Sequence, residues 1–238
     1  MASTPAIIGH RGAPRDHPEN TLAAFLRALE LGATGVELDV HVTGDGVVVV
    51  HHDFAVAGVG TSGERLRIER SPLDDVLAAG TAAGVAIPTL GEVLEMVDGR
   101  ATVYVELKGA GTEAAVADLL RGRESWTAVH SFDHRAARRA RSLLPGLRTG
   151  VLLQSYLVDT AAALHAAEAT DLWQWYEYVD DQLVVDVHRA GGRVIAWTVN
   201  EVSTARALAS MGVDGLCTDV PGVLYRAIAL GPTGRPVA

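Results

Sequence analysis

Cysteine is almost missing from this chain: of 238 residues only Cys217 carries a thiol, so no intrachain disulfide framework can exist. Aromatic residues are scarce at 5%, and no apolar run approaches the roughly 18 residues needed to span a bilayer. The opening MASTPAIIGHRG lacks a charged segment followed by a long apolar stretch, so no secretory leader is expected. Basic residues are outnumbered, 20 Lys and Arg against 29 Asp and Glu, for a formal charge of -9. They form no stripe that could neutralise a polyanion, and nucleic acid is therefore not an expected partner. A soluble, cytoplasmic protein with a sizeable core is the expectation.

What the chain has instead is alternation. Short β-branched or apolar runs, near Ala6–Gly9, Gly35–Val40, Ala101–Leu107, Thr127–His130, Leu147–Leu152, Asp171–Trp175, Arg193–Trp197 and Val213–Cys217, alternate with segments of helical period. Val47–Val50 follows the turn signal TGDG and reads as the return arm of a hairpin with the second strand. Asn20 stands where a cap for TLAAFLRALEL is needed, Thr89 and Glu92 have capping-box spacing, and Asp133 precedes a helix that Pro145 ends. Further helices are expected near Thr112–Arg121, Asp159–Glu168, Asp181–Ala190, Glu201–Met211 and Pro221–Leu230. Eight βα units in this length predict an α/β fold, a TIM (β/α)8 barrel forming one domain over residues 1–238. A small insertion after the second strand is expected at about 54–88, and a loose tail at about 231–238.

Two strands carry ionisable chemistry. In GVELDV, Glu37 and Asp39 are two residues apart and share a strand face, opposite Val36, Leu38 and Val40; in TVYVELKG, Glu106 and Lys108 do the same. Buried carboxylates need protonation, a basic partner or a cation. Three of them with water and a phosphate oxygen suit a hard ion such as Mg²⁺ or Ca²⁺; the competing reading is an ordinary ion-pair network with Lys108 and arginines. His10, at the end of the first strand, is placed for catalysis by location in a barrel. His51 and His52 follow the hairpin arm, and alternation cannot choose between them. A lone histidine is usually a core residue, but two imidazoles beside an arginine and a metal can take and give protons near neutral pH.

In order, the fragments HRG, HPENT, VELDV, TGDG, VVHHD, IPTLGEVL, VELKG, HSFD, WTVN and GVDGLCTDVPG resemble the successive motifs of the glycerophosphodiester phosphodiesterases, from His10 to about Pro221. The resemblance implies a divalent cation, Mg²⁺ or Ca²⁺, bound by Glu37, Asp39 and Glu106, and an acid-base pair formed by His10 and His52. It implies that Arg11 and Lys108 hold the phosphoryl group, and that Phe132 and Trp197 border the substrate cleft. The implied reaction is hydrolysis of a small glycerophosphodiester to glycerol 3-phosphate and an alcohol through a cyclic phosphate. Two alternatives are a relative that acts on lysophospholipids and a barrel that binds phosphorylated metabolites without turning them over.

For other residues the expectations are structural. Glu19 and Asn20 match the family's loop after the first strand, where helix capping weighs at least as much as substrate contact, while Thr198, Asn200, Thr218 and Asp219 read as helix caps before they read as chemistry. His17, His41, His130, His134, His165 and His188 have no role, and the cluster Trp173 to Tyr178 suits a strand face, a cleft rim or an oligomer interface. After HHD the chain reads FAVAGVGTSG where the family has an Asp-Arg-Thr segment, which leaves contacts from that loop, and the choice of leaving group, open.

Overall fold

In the computed structural model, residues 4–57 and 65–230 are described. Eight parallel strands close on one another: β1 (Ala6–His10), β2 (Gly35–Val42), β6 (Thr102–Leu107), β7 (Thr127–Ser131), β8 (Arg148–Leu153), β9 (Asp171–Trp175), β10 (Arg193–Trp197) and β11 (Gly215–Thr218). Closure comes from β1, which pairs with β11 on one side and β2 on the other. The expected TIM barrel is what forms. The hairpin arm β3 (Val48–Val50) pairs antiparallel with the far end of β2, and a two-stranded ribbon, β4 (Ala55–Val56) with β5 (Leu66–Arg67), follows it. Residues 58–64 of the expected insertion and the tail from 231 onward lie outside the described residues.

Between the strands run α1 (Leu22–Glu30), α2 (Leu73–Ala82), α3 (Leu90–Val97), α4 (Glu113–Leu120), α5 (His134–Leu143), α6 (Thr160–Ala167), α7 (Asp181–Arg189), α8 (Val202–Met211) and α9 (Pro221–Leu224). The capping box predicted for α3 is present. For α1 the cap differs from expectation: Thr21 accepts the Ala24 N–H, while Asn20, at a left-handed φ of 58°, turns its side chain toward the barrel. Each helix lays an apolar stripe on the outside of the strands. In α1 that stripe is Ala24, Phe25 and Ala28, and completely burying one phenylalanine stabilises the fold by about 1.5–3 kcal/mol. Beyond α9 the last turn is π-helical, Tyr225–Ala229, so the helix predicted to Leu230 changes character at Tyr225.

Alternation decides what points inward. The barrel interior is filled by Ile8, Tyr104, Ala128, Leu152, Trp173, Ile195 and Cys217, one side chain from each of seven strands. Gly150 makes room for Trp173, since a Cβ there would lie 2.9 Å from the indole. Two residues further along each strand, the same parity brings His10, Glu106, His130, Gln154, Trp175, Trp197 and Asp219 to the C-terminal mouth. The β2 strand contributes Glu37 and Asp39 by the same rule, in register with His10 and Glu106 respectively.

Candidate active site

The mouth holds a cavity of about 220 Å³ whose walls include His10, Arg11, Glu37, His52, Glu106 and Lys108, joined by His130, Phe132, Trp173 and Trp197. Eight of the nine sequence candidates line it; the exception is Asp39, which lies behind its wall and is 1% exposed.

A sharp turn after β1 places Arg11. Arg11 has φ 53° and Gly12 φ 90°, and a Cβ at Gly12 would stand 2.6 Å from the Ala24 backbone, so this turn requires glycine. The turn aims the Arg11 backbone N–H at Glu37 Oε2 (3.1 Å) and its guanidinium at Glu19 (2.8 Å) and Asp39 (3.1 Å). Asn20 donates to Asp39 Oδ2 at 2.8 Å. Lys108 Nζ lies 3.1 Å from Glu106 and 3.7 Å from Asp39. Glu19 and Asn20 are thus parts of the site rather than caps.

These contacts divide the carboxylates. Burial, then Asp39 and Glu106, pushes Glu37 well above the ordinary carboxylate range. Burial and Asp39 raise Glu106 to about 7. Asp39 is held below its ordinary value: burial works against ionisation, but Arg11, Lys108 and Asn20 outweigh it. Even so, Asp39 Oδ1 is enclosed with no hydrogen-bond partner. Three buried carboxylates facing two cationic side chains, with an acceptor left over, fit a site for a positive ion. Glu37, Glu106 and His130 each offer a donor atom, all within 4.8 Å of one another.

Both candidate histidines are backed by carboxylates. His10 Nδ1 stands 2.7 Å from Asp219 Oδ1, and His52 Nδ1 stands 2.9 Å from Asp53. Asp219 is itself clamped by Asn200, which donates to Oδ2 at 2.8 Å and accepts the Asp219 N–H at 2.9 Å. The capping roles expected for Asn200 and Asp219 are therefore replaced by a chain ending on His10. The ambiguity at the hairpin resolves because β3 stops at Val50: His51 and His52 are outside the regular strand, and His52 lines the cavity.

His130 was left without a role by sequence, yet it is 1% exposed, stacked on Trp173 with ring centroids 4.0 Å apart, its Nε2 3.9 Å from Glu37. Burial lowers its pKa to about 3, so this approach is not an ion pair. Its signal was available: β7 parity places it one step above Ala128, and it is in register with Glu106. The aromatic cluster splits. Trp173 is core, whereas Trp175 packs edge-on against Trp197 (5.2 Å), which in turn meets Phe132 (5.8 Å) to make an apolar wall.

Among the described residues no helix is long and apolar enough to cross a membrane. The glycerophosphoryl diester phosphodiesterase family profile matches residues 10–223. A glycerophosphodiester phosphodiesterase of Caldanaerobacter subterraneus subsp. tengcongensis is 35% identical over 94% of this chain and 98% of its own. Among solved structures, an Oleispira antarctica phosphodiesterase in complex with the product sn-glycerol-3-phosphate superposes with a TM-score of 0.81 at 28% identity, covering 94% of this chain and 96% of the other. The glycerophosphodiester phosphodiesterase of Agrobacterium tumefaciens gives 0.79 at 27%, over 92% and 98%. With a carboxylate-lined mouth, backed histidines and likeness along nearly the whole chain, this protein belongs to the glycerophosphoryl diester phosphodiesterase family and is an enzyme of that kind.

Proposed function

We propose that the chain cleaves glycerophosphodiesters to glycerol 3-phosphate and a free alcohol, using His10 and His52 as an acid-base pair and one divalent cation at the buried carboxylates. The observation that carries this is the convergence of Glu37, Glu106, Arg11, Lys108, His10 and His52 on a single cavity sized for a small molecule. Arg11 and Lys108 neutralise the phosphoryl oxygens, the first as a planar fork and the second as a point charge. When bound, the cation supplies Lewis-acid polarisation of a phosphoryl oxygen and of a glycerol hydroxyl.

Asp219 fixes the His10 proton on Nδ1, which leaves the Nε2 lone pair to act as base. His10 takes the proton of the glycerol 2-hydroxyl as that oxygen bonds to phosphorus. His52 protonates the departing alcohol oxygen as its bond to phosphorus breaks, and a cyclic phosphate results. His52, now neutral, takes a proton from water as the water oxygen attacks phosphorus. The bond between phosphorus and the 2-oxygen breaks as the proton on His10 returns to that oxygen, and glycerol 3-phosphate leaves with both histidines reset.

A coupled assay for glycerol 3-phosphate, run with chelator, Mg²⁺ and Ca²⁺ on glycerophosphocholine, tests the reading. Release that is lost with chelator and restored by a cation is expected; release unaffected by exhaustive chelation removes the cation from the chemistry. Lysophosphatidylcholine in parallel distinguishes the lipid-directed alternative, and no alcohol release from a broad diester panel would favour a binding protein.

A further inference from the structure

We infer that the groove between His52 and the β4–β5 ribbon is a subsite for the departing alcohol, and that it selects glycerophosphodiesters whose alcohol carries a second phosphate at its far end. The inference rests on the proposed reaction, in which His52 protonates the leaving oxygen. The alcohol must then begin at His52, and what lies beyond that residue decides which alcohol fits. His52 and Lys108 line the main cavity and also a second space of about 550 Å³, whose other walls include Asp53, Phe54, Arg65 and Arg67. The two spaces share the histidine that holds the leaving oxygen.

In charge the groove departs from the rest of the molecule. The chain as a whole carries -9, yet the groove presents Arg65, Arg67 and Lys108 against Asp53 alone. Lys108 is shared with the carboxylates of the mouth, but the arginines belong to the groove. Arg65 Nη2 donates to Asp53 (2.5 Å) and to the Ala55 carbonyl (2.9 Å), and Arg67 Nη2 donates to Glu69 (2.7 Å), which lies outside the lining. One nitrogen of each guanidinium is engaged, and among the described residues the others are not. Each fork is thus anchored with N–H donors to spare, which is what recognition of phosphate oxygens requires. An apolar surface lies beside them. Phe54 is 46% exposed, but its ring is met edge-on by His41 at 5.0 Å and by the Arg67 guanidinium at 5.9 Å, so it is fixed in place and offers a carbon chain a rest beside the arginines. A short cationic alcohol such as choline meets like charge here and keeps to the aromatic rings of the main cavity. A longer alcohol ending in phosphate is what the groove adds.

The test is a matched pair of diesters, glycerol 3-phosphate esterified to butanol or to 4-phosphobutanol, assayed by release of glycerol 3-phosphate at one fixed concentration of free cation. At low ionic strength kcat/KM for the phosphate-tipped substrate should exceed that of its uncharged partner about tenfold, mainly through KM, and the ratio should fall toward one as salt screens the exposed arginines. Arg67→Gln should lower the ratio at least about threefold. Glu69→Gln, which removes the competing carboxylate, should raise it. Because a ratio is read, a general loss of activity or of folded protein in either variant cancels. Equal kcat/KM for the two substrates in the wild type, a ratio that Arg67→Gln does not lower, or one that Glu69→Gln lowers overturns the subsite and leaves the phosphodiesterase reading standing. Release of glycerol 3-phosphate from neither diester nor from glycerophosphocholine overturns that reading, and the subsite with it.

Discussion

The two ends of this barrel bury charge in opposite ways. At the N-terminal end, Asp171 is 1% exposed and meets two guanidiniums: Arg193 binds it through both nitrogens at 3.0 and 2.8 Å, and Arg148 lies at 3.4 Å, its guanidinium also over the Tyr104 ring. One acid there has two bases. At the C-terminal end three acids share Arg11 and Lys108, and Asp39 Oδ1 is left without a hydrogen bond. The first arrangement matches the carboxylate twice over and leaves donors unpaired, Arg148 Nε and Nη2; the second leaves a carboxylate oxygen unpaired and so fits something positive. The lesson is that a buried charge network is informative about function through the sign of what it leaves unpaired.

Exchanging carboxylate for amide at each end is the strongest way to break this contrast. Glu37→Gln should lower turnover by about 10³-fold at saturating cation, yet leave the melting temperature of the metal-free protein equal or higher, since it removes a charge the site repels. Asp171→Asn should do the reverse. It strands Arg193 and Arg148 and should cost about 2–3 kcal/mol in denaturant unfolding, short of the full buried-pair penalty because Arg193 reaches solvent, while leaving kcat within a few-fold at permissive temperature. Equal losses of stability at both ends would erase the contrast.

A step down in size is the Asp219 chain. Asp219→Asn should reduce kcat about 10²-fold with KM little changed, because the amide can hold His10 in the wrong tautomer without touching the substrate. Asn200→Ala, one bond further out, should cost only about tenfold. A matching rise in KM for either variant would show that the chain shapes the pocket instead of orienting the imidazole.

The pH dependence of cation stabilisation sharpens the same difference. Glu106 has its pKa raised from 4.5 to about 7, so its contribution to metal-free stability is fully present below about pH 4.5 and is lost as pH rises through about 7. A cation compensates the ionised form, so the rise in melting temperature on adding saturating cation should be small at pH 5 and largest near pH 8. A cation at 100 times its Kd contributes about 2.7 kcal/mol. Constant stabilisation across that range would mean the ion sits away from Glu106.

Much of this was readable from residues alone. Strand alternation placed Glu37, Asp39, Glu106 and Lys108 on common faces, and the barrel rule put His10 at the working end. What escaped was long-range partnering. Asp219 is 209 positions from His10, and both Asp219 and Asn200 sit where short polar residues ordinarily cap helices. Asn20 was misread for the same reason, its neighbour Thr21 being the residue that caps. His130 was in reach, because its register with Glu106 follows once β6 and β7 are adjacent, but HSFD carries no local sign that the histidine points inward.

The smallest expected effect concerns the apolar wall. Phe132 is 49% exposed, touches Trp197 edge-on and lines the cavity, so it contributes little to the fold and is placed to meet a substrate. Aromatic contacts of this kind are worth about 0.5–1.5 kcal/mol, or roughly two- to tenfold in binding. Phe132→Ala should therefore raise KM for glycerophosphocholine by that factor with kcat unchanged, and should matter less for a diester with a small polar alcohol. The quaternary ammonium of choline gains most from an aromatic face, so the ratio between the two substrates reads the wall separately from the chemistry. If both substrates lose equally, the wall holds the shared glycerol half of the molecule, and the leaving-group side must be sought among the residues after Asp53.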